Sequence, residues 1–296
     1  MARTPPYIAL GGANIMVINF SQAAAFSSRM EGINTANVLK TSKELSSGMR
    51  INSASDDASG LSVAERMRSQ IRGLNQASRN VMNGVSMLQT AEGYMSSTTD
   101  ILQRIRELAV QSANGIYSSE DRMQIQVEVS QLVSEVDRIS QTAEFNGMTL
   151  LSGRFAEDGV KLQVGANIDQ NFIVKLADMS SAALGLKSSG QDGTEQSISL
   201  ADPESANMAL ATIDEALKTV NKNRADIGAS MNRMEMTQKG IDIASENVAA
   251  SESRIRDADM AKTITEHVKN QILQSASVSL LSQANSNSQN VLSLLK

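Results

Sequence analysis

The chain has no tryptophan and no cysteine, one histidine, three prolines, five Phe and three Tyr among its 296 residues. Without cysteine there is no disulfide framework and no thiolate metal centre to build. The lone histidine, His267 in "TITEHVKNQ", lacks partners for zinc ligation or Ser–His catalysis and reads as part of a helix surface. No apolar run reaches the length that spans a bilayer, so membrane insertion is not expected. The 27 Lys/Arg and 32 Asp/Glu are interspersed for a net charge of −5, which leaves no basic footprint for nucleic acid. A core of this size normally draws its bulk from aromatics. Here burial falls to Leu, Ile, Val, Ala and sixteen Met, the residues of helix–helix seams.

Those residues keep time in sevens. From Ile213 through Leu217, Val220, Ile227, Met231, Met234, Ile241 and Val248 to Ile255, seam positions recur in alternating steps of four and three. Arg224, Gln238, Ser245 and Glu252 take the remaining places. Sustained a/d spacing of this kind is a coiled-coil signature. Asp202-Pro203-Glu204 starts the helix with an N-cap acid, Pro at the first helical position and a carboxylate at the positive end. A partner lies in the N-terminal half, where Met67, Ile71, Leu74, Ser78, Val81, Val85, Leu88, Glu92 and Met95 follow the same spacing, and the apolar set then moves to Ile101, Ile105 and Leu108. Ser62 and Glu65 stand at capping-box spacing near its start. A third helix follows the break "NGIYSSED", with caps at Ser118/Ser119 and a seam of Ile125, Val129, Leu132, Val136 and Ile139.

Between residues 145 and 200 the pattern changes to period two: "FNGMTLLSG" carries an Asn-Gly turn, and "VKLQVGAN" and "NFIVKLAD" alternate as strands do. The fold class that follows is mainly α: long antiparallel helical rods in a coiled-coil-like bundle with a small β-rich insert. The order helices, insert, helix returns the chain on itself and brings its two ends together. Segments 20–47 and 256–296 are softer, mixing Phe26, Met30, Ile33 and Leu39, or Met260, Ile264, Ile272, Val278 and Leu281, with many Ser and Asn. Such helices are marginal in isolation. The last residues, "SNSQNVLSLLK", place Val291, Leu292, Leu294 and Leu295 where chain ends are usually polar and frayed. Nothing later in the chain covers them, so the covering surface is expected to be another copy of the molecule. Identical contacts that do not close into a ring generate a helical filament.

The segments "LSSGMRINSASDDASGLSVAERMRSQIRGLNQASRN" (45–80), "LQRIRELAVQSANGIYSSEDRMQIQVEVSQLVSEVDRI" (102–139) and "FNGMTLLSG" (145–153) resemble the N-terminal region of bacterial flagellin. "LQVGAN" with "LADMSSAALGL" resembles the β-insert that follows it, and "SRIRDADMAKTITEHVKNQILQSASVSLLSQANSNSQNVLSLLK" resembles the flagellin C-terminus. The likeness runs from residue 16 to 296 and is strongest to the class B core flagellins of spirochaetes, whose filaments lie in the periplasm. Residues 1–15 have no counterpart. They read as a disordered leader or as sequence before a start at Met16, since "YIALGGANIMVINF" is a poor signal-peptide core.

The resemblance implies a motility filament subunit with no catalytic residue, cofactor or metal. Its expected division is 1–15 leader, 16–58 inner helix and spoke, 59–144 N-terminal rod helices, 145–202 insert, 203–255 C-terminal rod helix and 256–296 inner helix. The terminal helices would form the inner filament layer. Subunit contacts are expected at Asp56 and Asp57 of the spoke and at Val278, Leu281, Val291, Leu292, Leu294 and Leu295. Implied partners are further copies, the flagellar export apparatus and flagellin chaperone, hook-associated and cap proteins, and sheath proteins. "LQRIREL" resembles the segment recognised by Toll-like receptor 5 in certain flagellins, with Arg104, Leu108 and Glu128 as the candidate contacts on released monomer. The implied location is a periplasmic flagellum, with an external filament as the alternative. The rival readings are a hook–filament junction protein and a non-flagellar coiled-coil adaptor.

Overall fold

A computed structural model describes residues 22–189 and 195–294. Five helices and three short hairpins follow one another: α1 (Gln22–Ser47), α2 (Ala58–Ser112), α3 (Ser119–Thr142), β1 (Glu144–Phe145), β2 (Met148–Thr149), β3 (Val160–Gln163), β4 (Asn171–Val174), β5 (Lys187–Ser189), β6 (Glu195–Ser197), α4 (Pro203–Arg256) and α5 (Met260–Leu294). Contacts divide them into two compact units, one of residues up to Glu65 together with those from Glu252 onward, the other Arg66–Ser251.

Helix boundaries follow from local chemistry. Asp57 caps α2, its Oδ1 accepting the Gly60 N–H at 2.9 Å. The helix starts one residue before the expected 59, and Ser62 and Glu65 do not form its cap: Ser62 lies a turn inside on an exposed face, and Glu65 accepts from Arg256 Nη1 at 2.9 Å. At the far end of α2, the half-satisfied carbonyls are closed by a buried guanidinium. Arg122 Nε donates to the Ser112 carbonyl at 3.1 Å and Nη2 to that of Asn114 at 3.3 Å. Ser118 and Asp121 form a reciprocal capping box at the start of α3. Pro203 opens α4 with Glu204 in its first turn, and Arg254 and Arg256 stand at its negative end.

In the larger unit α2 and α4 run antiparallel. Asn75 meets Ser245 at 3.0 Å, Ser78 meets Asp242 at 3.2 Å, Glu92 meets Arg224 at 2.7 Å and Arg106 meets Asp214 at 2.7 Å. Every four–three position from Met67 to Leu108 and from Ile213 to Val248 that the spacing selected is buried or half-buried. Leu88, Met95, Leu102, Ile105 and Ile213 are fully enclosed. Glu92 and Arg224, the charged exceptions on the two stripes, answer each other, with about a third of each side chain exposed. Arg224 grips one carboxylate oxygen twice, through Nε and Nη2. Helix α3 adds Ile125, Val129, Val133 and Val136 to the same core.

The insert is three separate two-stranded antiparallel hairpins. Asn146 and Gly147 both take positive φ, 52° and 74°, the conformation a two-residue β1–β2 turn requires. In the β3–β4 hairpin, Phe172 and Val174 face inward while Asn171 and Ile173 face out, as period two demands. Phe172 packs beneath Arg233 of α4, whose guanidinium carbon lies 4.7 Å from the ring centre. The hairpin approaches α2 closely at Gly84, where a Cβ would meet the Met234 methyl and lie 2.6 Å from Leu162 Cδ1. Asp137 of α3 holds the next part of the insert, accepting from Lys187 Nζ at 2.6 Å and from the Ser181 N–H at 2.8 Å.

Replacing Gly84 with Val should destabilise the protein by about 1–3 kcal/mol through overpacking. Chemical denaturation measures the loss, and limited proteolysis should cut within the β3–β4 hairpin before it cuts the helices.

Candidate assembly interface

The smaller unit inverts the usual pattern of a helix pair. Helices α1 and α5 pack antiparallel, and their contact positions also step by three and four: Ser27, Glu31, Asn34, Val38, Thr41 and Leu45 on one side, Thr263, His267, Asn270, Gln274, Ser277 and Leu281 on the other. Three of these twelve are apolar, the opposite of the α2–α4 seam. The large apolar side chains point away from the partner helix. Phe26 is 58% exposed and Ile272 64%, and Met30, Ile33, Leu39, Ile264, Val268 and Val278 are likewise open. About half of the strongly exposed large hydrophobics among the described residues sit on these two helices. Their lengths of 26 and 35 residues are less than a quarter of what is described. Apolar surface concentrated in this way marks an interaction face.

Three polar bridges close the seam. Asn34 Nδ2 donates to Ser277 Oγ at 2.9 Å, Gln274 Nε2 donates to Thr35 Oγ1 at 2.9 Å, and His267 Nδ1 meets Thr41 Oγ1 at 2.9 Å. The Thr41 hydroxyl also lies 2.9 Å from the Asn37 carbonyl and 3.2 Å from that of Val38, so it links His267 to the backbone of α1. His267 is therefore half-buried between two helices rather than an ordinary surface residue, which corrects the expectation drawn from its neighbours.

A backbone clasp joins the ends of these helices to the first turns of α2 and the last turn of α4. Met49 and Asp257 form an antiparallel bridge, Arg50 N–H donates to the Arg256 carbonyl at 2.7 Å, and Ala258 N–H donates to Gly48 at 2.9 Å. Ile51 is sealed beneath it. Asp56 and Asp57, expected as intersubunit contacts, spend their carboxylates inside this loop. Asp56 Oδ2 accepts from Ser53 N–H at 2.9 Å, Ser53 Oγ at 3.0 Å and Asn52 N–H at 3.1 Å, while Asp57 caps α2. The Ser53 backbone and hydroxyl hydrogen bonds hold the Asp56 carboxyl below its ordinary value, and the Gly60 N–H followed by the Ser59 hydroxyl does the same for Asp57. No group of His, Asp and Glu among the described residues is arranged to hold a metal ion.

Of the other expected contacts, Val278 is exposed on α5, whereas Leu281 is half-buried in the seam with α1. Val291, Leu292 and Leu294 belong to α5, but their side chains, like Leu295, lie outside the described residues, as does the leader 1–15. Arg104 and Glu128 pair at 2.9 Å on the surface of the larger unit. Leu108 is only 2% exposed beneath them, so its side chain offers no contact surface in the folded chain. The polar seam escaped the reading of periodicity because attention to apolar steps passes over a three–four pattern written in Asn, Thr, Gln and Ser.

The larger unit is a long antiparallel helix pair with a small β-rich insert, and the smaller is a helix pair with most of its large apolar side chains exposed; together these define a mainly helical protein with an exposed interaction face. The N-terminal helical region of bacterial flagellin matches residues 18–156, and the C-terminal helical region matches 210–295. A 30.7 kDa flagellar filament core protein of Treponema maltophilum is 57% identical over 285 residues, covering 95% of this chain and 100% of the relative. Flagellin FlaB1 of Treponema pallidum is 54% identical and the flagellar filament core protein flaB2 of Brachyspira hyodysenteriae 50% identical, each over 289 residues with the same coverage. The chain belongs to the bacterial flagellin family.

The two clasp carboxylates have folded-state values below their unfolded ones. Their stabilisation is present above the unfolded value of about 4 and is lost as pH falls through the lower folded values. Hydrogen exchange of the Asn52, Ser53 and Gly60 amides should accelerate on acidification, beyond the intrinsic pH effect, before the α2–α4 amides do so. Equal protection of both regions down to pH 2 would contradict this.

Proposed function

We propose that the chain is the structural subunit of a bacterial flagellar filament, polymerising by covering the outer apolar faces of its α1–α5 hairpins with further copies. The observation that carries this reading is the placement of Phe26, Ile33, Ile264 and Ile272 outside a helix pair whose interior is polar. Completing the burial of one such half-exposed side chain is worth about 1 kcal/mol. Association costs roughly 4–15 kcal/mol in lost translational and rotational freedom. One neighbour covering two or three side chains does not meet that cost, whereas several neighbours at the end of an existing polymer do. Elongation from seeds is therefore favoured over dimer formation.

Within this reading, segments 16–58 and 256–296 form the inner layer and 59–144 and 203–255 the surrounding one, with the insert 145–202 attached to the latter. The partners are further copies, the export apparatus and its chaperone, and hook-associated, cap and sheath proteins. A filament core inside the periplasm is favoured by the similarity to Treponema and Brachyspira filament core proteins. Electron microscopy of the source cell decides between that and an external filament. Released monomer presents Arg104 and Glu128 for recognition by Toll-like receptor 5, without Leu108. A structural role without catalysis accords with the family. A hook–filament junction role predicts a trace component in purified filaments, and an adaptor role predicts a stable soluble dimer.

Replacing Ile264 and Ile272 together with Ser should leave the thermal unfolding of the monomer within about 0.5 kcal/mol of the parent, as for surface changes generally. The same change should abolish elongation of filament seeds, as should removal of residues 286–296. Wild-type elongation by the double variant would refute the interface.

A further inference from the structure

We propose that Asn34–Ser277, Thr35–Gln274 and Thr41–His267 are the register key of the α1–α5 hairpin, selecting one pairing out of several that the heptad spacing permits. This rests on the filament reading above, because the consequence of the key is felt at the outer face that neighbouring copies cover. A three–four seam repeats every seven residues, so two helices joined by a uniform apolar seam have further pairings about 10.5 Å apart at 1.5 Å per residue. A slip of that size carries every outer side chain of α5 past its neighbours on α1. It leaves each helix intact while breaking up the composite surface.

The three bridges distinguish these pairings. The Ser277 and Thr35 hydroxyls each have one proton and use it on their own helix. Ser277 Oγ donates to the Leu273 carbonyl at 2.8 Å and Thr35 Oγ1 to Glu31 Oε1 at 3.3 Å. Ser277 and Thr35 thus accept from the opposite helix and take their donors there from Asn34 and Gln274, while Thr41 and His267 Nδ1 meet in a hydrogen bond whose direction follows the ring tautomer. Moving α5 by one heptad in one direction sets Ala284 against Asn34 and Leu281 against Thr35. The Asn34 amide, in a residue only 9% exposed, then has no acceptor. Moving it the other way sets Met260 against Thr41, which is 5% exposed. Buried polar groups left without partners are strongly disfavoured, and a buried Asn at a seam position is the best-attested device for fixing helix register. The α2–α4 seam has the Glu92–Arg224 pair in this role, whereas the three α1–α5 bridges are made by Asn, Ser, Thr, Gln and His side chains.

The absence of native cysteine makes register directly readable. In the full chain, Leu45→Cys with Thr263→Cys, seam positions outside the key, reports the native pairing, and Leu45→Cys with Asn270→Cys reports a one-heptad slip. A short bifunctional maleimide should link the first pair and not the second. Adding Asn34→Leu with Ser277→Leu should raise the yield of the slipped link at least tenfold. Without the cysteines, the same leucine pair should leave the melting temperature at or above the parent's and slow seeded elongation at least tenfold. The swap Asn34→Ser with Ser277→Asn restores a donor and an acceptor across the seam and should recover both register and elongation. If the leucine pair does not fold, Asn34→Ala with Ser277→Ala gives the same reading. Native-only crosslinking with parental elongation in the leucine or alanine variant overturns the register key. Failure of the unmodified chain to extend seeds overturns the filament reading instead and leaves the crosslinking result standing.

Discussion

The constraint on which the rest depends is the inversion of polarity in the α1–α5 pair. A helix pair that must be stable alone places its apolar residues between the helices, as α2 and α4 do with Leu88, Met95 and Ile213. In α1–α5 the interior holds Asn34, Thr41, Thr263 and Ser277 with only Val38, Leu45 and Leu281 as large apolar members, and the other large apolar residues described on the pair face outward. Hydrogen bonds across such a seam yield little net stability, since each replaces bonds to water. The pair therefore has a defined partner arrangement but a small driving force of its own. The larger part of the available hydrophobic free energy lies on its outside, where only other molecules can collect it.

That arrangement also separates the two duties of the chain. The larger unit has the apolar core, the capped helices and the hairpins tied down by Asp137 and by the close approach at Gly84. It meets the entropy of ordering from its own burial. The smaller unit contributes surface. The clasp between Met49 and Asp257 and the pairing of Arg256 with Glu65 fix where that surface begins along the chain. Asp56 and Asp57 serve the same end by shaping the loop. The likeness to a flagellin spoke made them candidates for intersubunit contact, and within the chain Asp56 Oδ2 and Asp57 Oδ1 serve the loop.

Much of the fold was legible in the sequence for a definite reason. Period-seven apolar spacing is a direct image of burial between helices, so the α2 and α4 seam positions emerged residue by residue, and the α3 stripe did so except that Val133 is enclosed where Leu132 was expected and Leu132 is half-buried. Pro203 and Ser118 were legible because caps are local chemistry. The start of α2 was legible to within a residue, at 59 against Ala58, but its cap was not, since Ser62 and Glu65 have the capping-box spacing while Asp57 takes the Gly60 N–H. Leu108 was correctly assigned to a seam by spacing, and that assignment is what removes it from the surface. His267 was misplaced because a polar residue next to Glu266 and two places before Lys269 looks solvated unless the facing helix is known.

The candidate interface was legible only in outline. The sequence pattern marks segments 20–47 and 256–296 as helices too weak to stand alone, but spacing does not say whether the apolar or the polar stripe faces the partner. Pairing the apolar stripes would have satisfied the greasy residues within one molecule and left nothing for assembly. Pairing the polar stripes requires complementary donors and acceptors at matching heights, which Asn34 with Ser277, Thr35 with Gln274 and Thr41 with His267 provide. Three simultaneous matches between segments more than two hundred residues apart are a far narrower condition than hydrophobic matching, which tolerates many partners and many offsets. The polar seam thus accounts at once for the weakness of the isolated helices, for their pairing with each other, and for an apolar exterior held in one arrangement that a second copy can meet.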